Sequence, residues 1–243
     1  MTRLLVLLCL LLPSALRAET ALIAVATNFA PVTEVLAQAY AAETGDEIRI
    51  TAGATGKLSA QIAAGAPIDA FLSADSTTPA RLLAEGLAVE GTARPYARGR
   101  LALWSADPAR DLSDPAAALR AARHVAIANP DLAPYGQAAM EVLDHLGLAE
   151  EVRPKLVTGE NIGQAFTLVA SAAADLGFVA ASSLTAEAGG SAWAIPAEDH
   201  APLIQSAVLL PHGAGNGAAA GFLAFLSTPA ARKIIGAAGY GLP

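Results

Sequence analysis

The sequence predicts an α/β protein of two lobes, each a mostly parallel sheet flanked by helices. Three observations carry this reading. Short β-rich runs alternate along the chain with runs of helical periodicity, the pattern of βαβ units. Pro and Gly sit where helical runs should start and stop. Composition changes near 94–100 and a second crossing is expected near 202–206, dividing the chain into 19–97 with 206–243 as one lobe and 98–205 as the other. The first lobe is thus expected to be assembled from both ends of the chain.

Taken in order, residues 20–26 read as a buried strand. Val32, Val35, Leu36, Ala39 and Tyr40 then fall at i, i+3, i+4, i+7 and i+8, one helix face, with Pro31 in its first turn and Gly45 as its stop. A strand over 47–52, a Gly53-Ala54-Thr55-Gly56 turn and a helix over 58–64 follow. Next come a strand over 68–73 and a helix over 79–85 closed by Gly86. Around 94–100, Pro95 and Gly99 flank a small basic cluster. Beyond it, 101–104 and 124–128 read as strands, 135–146 as a helix ended by Gly147, and 156–158 as a short strand. A helix over 162–173 precedes a strand over 176–180. Finally, a strand over 204–210 leads into helices over 218–226 and 229–237.

Composition removes several function classes. The 243 residues carry 15 basic and 22 acidic side chains, a net charge of −7, so the chain lacks the clustered cations that hold a phosphate backbone and no nucleic-acid partner is expected. Apolar residues reach 54%, which excludes disorder. Much of the excess lies at the N-terminus. Arg3, the apolar run 4–12, Pro13, Ser14 and the small Ala18 before Glu19 form a secretory signal peptide over 1–18, too short in its apolar part to span a bilayer. Cleavage is expected near Ala18, giving an exported, periplasmic protein. The sole cysteine, Cys9, would leave with that leader, and no small residue precedes it as a lipidation site would require. A mature chain without thiol excludes disulfides, thiolate metal sites and cysteine nucleophiles.

Two glycine patterns fail as nucleotide sites. Gly53-Ala54-Thr55-Gly56-Lys57-Leu58 has Thr51 where a phosphate loop needs Gly and Leu58 where it needs Ser or Thr. Gly213-Ala214-Gly215-Asn216-Gly217 lacks the third spaced Gly and the later acidic partner, and reads as a plain loop. His124, His145, His200 and His212 show no metal-ligand spacing, no nucleophile elbow exists, and Asp69 and Asp75 have no acid/base partner in the sequence.

The strand-to-helix junctions are more informative. Thr27-Asn28, Thr55-Gly56, Ala133-Pro134-Tyr135-Gly136 and Asn161-Ile162-Gly163 carry hydroxyl, amide or small residues without a charged neighbour. Ligands of open α/β sheets bind at such junctions, where a helix N-terminus offers free N–H groups to an anion. The same residue types also serve as ordinary helix N-caps. Both readings stand at this level.

The chain also resembles a known family, the periplasmic molybdate-binding proteins of ABC importers, which have the type II periplasmic-binding fold. The resemblance spans the expected mature chain. It rests on Ala24-Val25-Ala26-Thr27-Asn28-Phe29, on Gly65-Ala66-Pro67-Ile68-Asp69-Ala70-Phe71-Leu72-Ser73-Ala74-Asp75, on Asn129-Pro130 with Ala133-Pro134-Tyr135-Gly136, on Asp175-Leu176-Gly177-Phe178-Val179, and on Gly239-Tyr240-Gly241. It implies an oxyanion site with Asn28 and Thr55 in the first lobe and backbone N–H groups at Tyr135 and Ile162 in the second. Many members place a tyrosine after the Leu-Gly-x-Val strand. None stands after Leu176-Gly177-Phe178-Val179-Ala180 here, which resembles a branch using adjacent Thr and Asn, so Thr27 joins the set. Thr27, Asn28 and Thr55 are expected to donate through their side chains. The resemblance further implies a monomeric, non-enzymatic receptor without cofactor, whose only metal is that of the molybdate or tungstate oxyanion. Its partners would be a membrane permease and a cytoplasmic ATPase. Receptors for sulfate, and an exported enzyme on the same scaffold, remain the weaker alternatives.

Overall fold

The computed structural model describes residues 18–243; the expected leader, Cys9 included, lies outside them except for Ala18. The chain opens with β1 (Thr20–Ala26), α1 (Ala30–Thr44), β2 (Glu47–Gly53), α2 (Thr55–Ala63), β3 (Ala70–Ser73) and α3 (Thr77–Ala84). It continues through β4 (Arg94–Arg98), β5 (Leu101–Ser105), α4 (Pro115–Ala121), β6 (Val125–Ala128), α5 (Pro134–His145) and α6 (Ala149–Val152). The remainder is β7 (Leu156–Gly159), α7 (Ile162–Ala170), β8 (Leu176–Ala180), β9 (Ser191–Ala194), β10 (Ile204–Leu209), α8 (Gly217–Phe225) and α9 (Pro229–Ala237).

Two five-stranded sheets result, ordered β2-β1-β3-β10-β4 and β7-β6-β8-β5-β9. In the first, β10 alone runs against its neighbours β3 and β4; in the second, β5 alone runs against β8 and β9. The mostly parallel, helix-flanked architecture read from the sequence is the one observed. The chain passes from the first sheet to the second between β4 and β5 and returns between β9 and β10. These two crossings touch, because the Gly99 N–H donates to the Leu203 carbonyl at 2.9 Å. The proposed division of lobes at 97/98 and 205/206 falls beside these crossings but inside β4 and β10, and Arg98, Ile204 and Gln205 lie in strands of the first sheet.

The pleat explains why the first sheet is covered on both faces. Ala21, Ile23 and Val25 of β1 face the cluster built around Phe29, Tyr40 and Phe222, while Ala24 faces the one around Leu58, Phe71 and Leu82. A third cluster, around Trp104, Tyr135 and Phe178, fills the second lobe. Gly45 ends α1 with φ 83°, a conformation that only a residue without Cβ adopts freely.

Some expectations needed correction. The basic stretch near 94–100 contains a strand, β4, whose Tyr96 and Ala97 are buried while Arg98 is exposed. Pro95 is tolerated because β4 is an edge strand, where a missing N–H leaves no ladder partner unmet. β9, an edge strand of the second sheet, was also not legible: its burial alternates between half-buried and exposed. The helix after Asn161 ends at Ala170, three residues early, with Ala172 at φ 58° just beyond it. And α2 starts at Thr55, so the presumed Gly-Ala-Thr-Gly turn supplies the helix's first residues.

Candidate functional site

Four strand-to-helix junctions converge on one small cleft cavity. The first sheet brings Thr27 and Asn28, in a single 3-10 turn between β1 and α1, and Thr55, the first residue of α2. From the second come Tyr135, behind Pro134 at the start of α5, and Ile162, the first residue of α7. All five residues singled out from the sequence therefore line the same cavity. None of its lining side chains, among the described residues, is Asp, Glu, Lys, Arg or His.

The backbone contributes donors by simple helix arithmetic. N–H groups in the first turn have no intrahelical acceptor, so those of Thr55, Tyr135 and Ile162 are free to bind outward. Pro134 at the start of α5 lacks an N–H and holds the φ a helix needs, leaving Tyr135 as the first donor of that helix. Three helix dipoles also present their positive ends here.

Capping explains only one of the candidate side chains. Asn161 accepts the Gln164 N–H at 3.0 Å, an ordinary N-cap. Ala54 occupies the cap position of α2 and Phe29 that of α1, neither with a side-chain bond. Thr27 and Thr55 are thus not caps. The Thr55 hydroxyl accepts the Ala74 N–H at 3.3 Å and keeps its own proton to donate. Thr27 Oγ1 is fully buried and has no hydrogen-bond partner. An orphaned buried hydroxyl costs about 1–3 kcal/mol, so this atom sits in want of an acceptor.

Asn28 departs from its expected role. Its Nδ2 donates to Gln205 Oε1 at 3.0 Å and to the Tyr240 hydroxyl at 3.2 Å, which uses both amide hydrogens. Both side-chain donors are thus engaged within the protein and the residue is buried, so the donor it keeps for a ligand is its backbone N–H. The Tyr240 hydroxyl in turn donates to the Asn28 carbonyl at 2.7 Å. Burial pushes the Tyr240 phenol up to about 12 against the bonds to Ser182 and Asn28, and raises Tyr96 and Tyr135 well above 10.0. All three remain neutral hydrogen-bonding groups across the physiological range. Sequence reasoning missed this layer. Its one signal was Gln205, a lone amide in the otherwise buried strand Ile-Gln-Ser-Ala-Val-Leu.

The lobes meet around the cavity. The Gly56 N–H donates to the Leu132 carbonyl at 2.8 Å, and Lys57, at the lysine position of the failed phosphate-loop pattern, pairs with Glu160 at 2.8 Å. Asp69 has a partner the sequence did not reveal: His212 Nδ1 lies 2.8 Å from its carboxylate, at the opposite end of β3 from the cavity.

Comparison with known proteins agrees with this architecture. The description of bacterial extracellular solute-binding proteins matches residues 21–241. The chain belongs to that family. Within it, the chain is 44% identical over 232 residues to the molybdate-binding protein ModA of Rhodobacter capsulatus, covering 95% of this chain and 91% of that one. It is 43% identical to ModA of Azotobacter vinelandii over 237 residues, with 96% and 94% covered. The solved structure of the Azotobacter vinelandii periplasmic molybdate-binding protein superposes with a TM-score of 0.87 at 40% identity, covering 92% of this chain and 99% of that chain.

Proposed function

We propose that this protein is the extracytoplasmic receptor of an ABC importer for molybdate. It captures the anion between its lobes and hands it to a membrane permease driven by a cytoplasmic ATPase. The single observation behind this reading is a cavity lined by donors and free of carboxylates, in a chain 40% or more identical to molybdate-binding proteins. Molybdate at neutral pH is a fully deprotonated tetrahedral dianion, so it can only accept hydrogen bonds. Thr27 and Thr55 would donate through their hydroxyls, and Asn28, Thr55, Tyr135 and Ile162 through backbone N–H groups. Bonds to charged groups contribute roughly 1.5–3 kcal/mol each, enough in sum for sub-micromolar binding after the cost of association.

Phosphate retains a proton near neutrality and is favoured by a carboxylate acceptor, which the cavity lining lacks. Sulfate matches in charge but is smaller, so it would fill the donor shell poorly. Tungstate, of nearly the same size and charge, should bind like molybdate. The function is binding, not catalysis, and the receptor acts as a monomer without cofactor. Residues 1–18 serve as the leader, leaving a periplasmic protein that begins at Glu19. Calorimetric titration with molybdate, tungstate, sulfate and phosphate tests the reading: heat from the first two alone supports it, and equal or greater affinity for sulfate or phosphate overturns it. Mass spectrometry of the exported protein tests the leader, which an intact Met1 would refute.

A further inference from the structure

Gln205 occupies a singular place. It is the second residue of β10, just past the return crossing between the lobes, and its side chain is fully buried. Its Oε1 accepts from Asn28 Nδ2 and from the Tyr96 hydroxyl, each at 3.0 Å. Its Nε2 donates to the Tyr135 hydroxyl at 3.3 Å. Asn28 and Tyr135 line opposite walls of the cavity, one from each sheet. One amide therefore bonds to a residue of each wall, through the outer ends of the Asn28 and Tyr135 side chains. The crossings give it no slack: Gly99 passes so close that a Cβ there would lie 2.9 Å from Gln205 Nε2.

The geometry points to Gln205 as a positioning residue that couples lobe closure to anion retention, through its bonds to Asn28 and Tyr135. This rests on the oxyanion reading above. The Tyr135 bond spans the two sheets, whereas the Asn28 and Tyr96 bonds lie within the first. Opening breaks the Tyr135 bond and leaves Nε2 without that acceptor. Closure restores it as Asn28 and Tyr135 reach their binding positions. A glutamine serves here because one planar group supplies the acceptor facing Asn28 and the donor facing Tyr135 at once.

The test is a double-mutant cycle on the full-length mature protein with molybdate as probe, reading the dissociation rate by stopped flow and the melting temperature of the ligand-free protein. Tyr135→Phe removes only the hydroxyl and keeps the backbone donor; Gln205→Met keeps the volume and removes both amide functions. Tyr135→Phe is expected to release molybdate about 10-fold faster, the loss of one buried hydrogen bond, and Gln205→Met at least as fast, since it also removes the acceptor of Asn28 and Tyr96. The double variant is expected to be no faster than Gln205→Met alone, because both changes break the same link. Tyr135→Phe should leave the ligand-free melting temperature unchanged, since its bond belongs to the closed form. Unchanged dissociation in Tyr135→Phe, or a double variant whose effect is the product of the two singles, overturns the coupling. If Gln205→Met does not fold, the Tyr135→Phe rate decides alone. Absence of molybdate binding by the unmodified protein would instead refute the oxyanion reading, an outcome separate from either of these.

Discussion

Gly163 and Thr27 meet across the cleft so closely that a Cβ on Gly163 would lie 2.6 Å from Thr27 Cγ2. The contact joins the first turn of α7 to the turn after β1, so it belongs to the closed arrangement of the lobes. No positive φ is involved; the glycine is there to make room.

Gly163→Ala is therefore expected to weaken molybdate binding about 10-fold or more, by holding the lobes apart or by turning the Thr27 hydroxyl away from the cavity. Stability of the ligand-free protein should change little. Calorimetry beside thermal melting checks both, and normal affinity in this variant would mean that Thr27 yields without consequence.

Thr27→Val should move affinity and stability in opposite directions. Removing an orphaned buried hydroxyl is neutral or stabilising to the free protein, while the loss of a donor to a dianion should cost about 10- to 100-fold in affinity. Asn161→Ala is its counterpart. That side chain caps α7, so its removal should cost about 1 kcal/mol of unfolding free energy. Denaturant unfolding and titration of both variants separate the donor from the cap.

Molybdate affinity is expected to be flat between about pH 6 and pH 9, because no group lining the cavity titrates there. Stability should fall at higher pH. The phenols of Tyr96, Tyr135 and Tyr240 are raised above 10.0 in the folded chain, so unfolding lets them ionise at their ordinary value. Their contribution is complete below pH 10 and is lost as pH rises beyond it, for Tyr240 toward about 12. Melting temperature against pH, with Tyr240→Phe as comparison, checks this.

At the acid end the sensitive group is Asp175. Burial pushes its carboxyl up, but the N–H groups of His124 and Arg123, at 2.9 and 2.8 Å, with the Arg123 guanidinium, outweigh it and hold the value below 3.8. A depressed carboxylate stabilises the fold above its unfolded value and loses that contribution as pH falls through its folded one. Asp175→Asn should thus lower the melting temperature at neutral pH, with the gap to the parent protein closing below pH 3.8. A gap independent of pH would assign the loss to packing.

How much was legible follows from the range of the interactions involved. Helices such as α1 could be read because apolar spacing, Pro31 and Gly45 act within a few residues of one another. The edge strands β4 and β9 could not, since half their faces are exposed and Pro95 argues locally against a strand. Thr27, Asn28, Thr55, Tyr135 and Ile162 were visible as junction residues and as points of family resemblance, and the structure brings them to one cavity.

By itself, then, the sequence determined the alternation of strands and helices, the two-lobed class, the acidic balance and the small polar residues at four junctions. Only the tertiary structure decided what those residues do. It assigned Asn161 to capping, left Thr27 Oγ1 without a partner, and engaged the Asn28 amide with Gln205, 177 positions along the chain. Local pattern reports backbone geometry, which neighbours in sequence impose. The partner of a buried polar group is chosen by desolvation, which requires some acceptor or donor to be close in space whatever its distance along the chain.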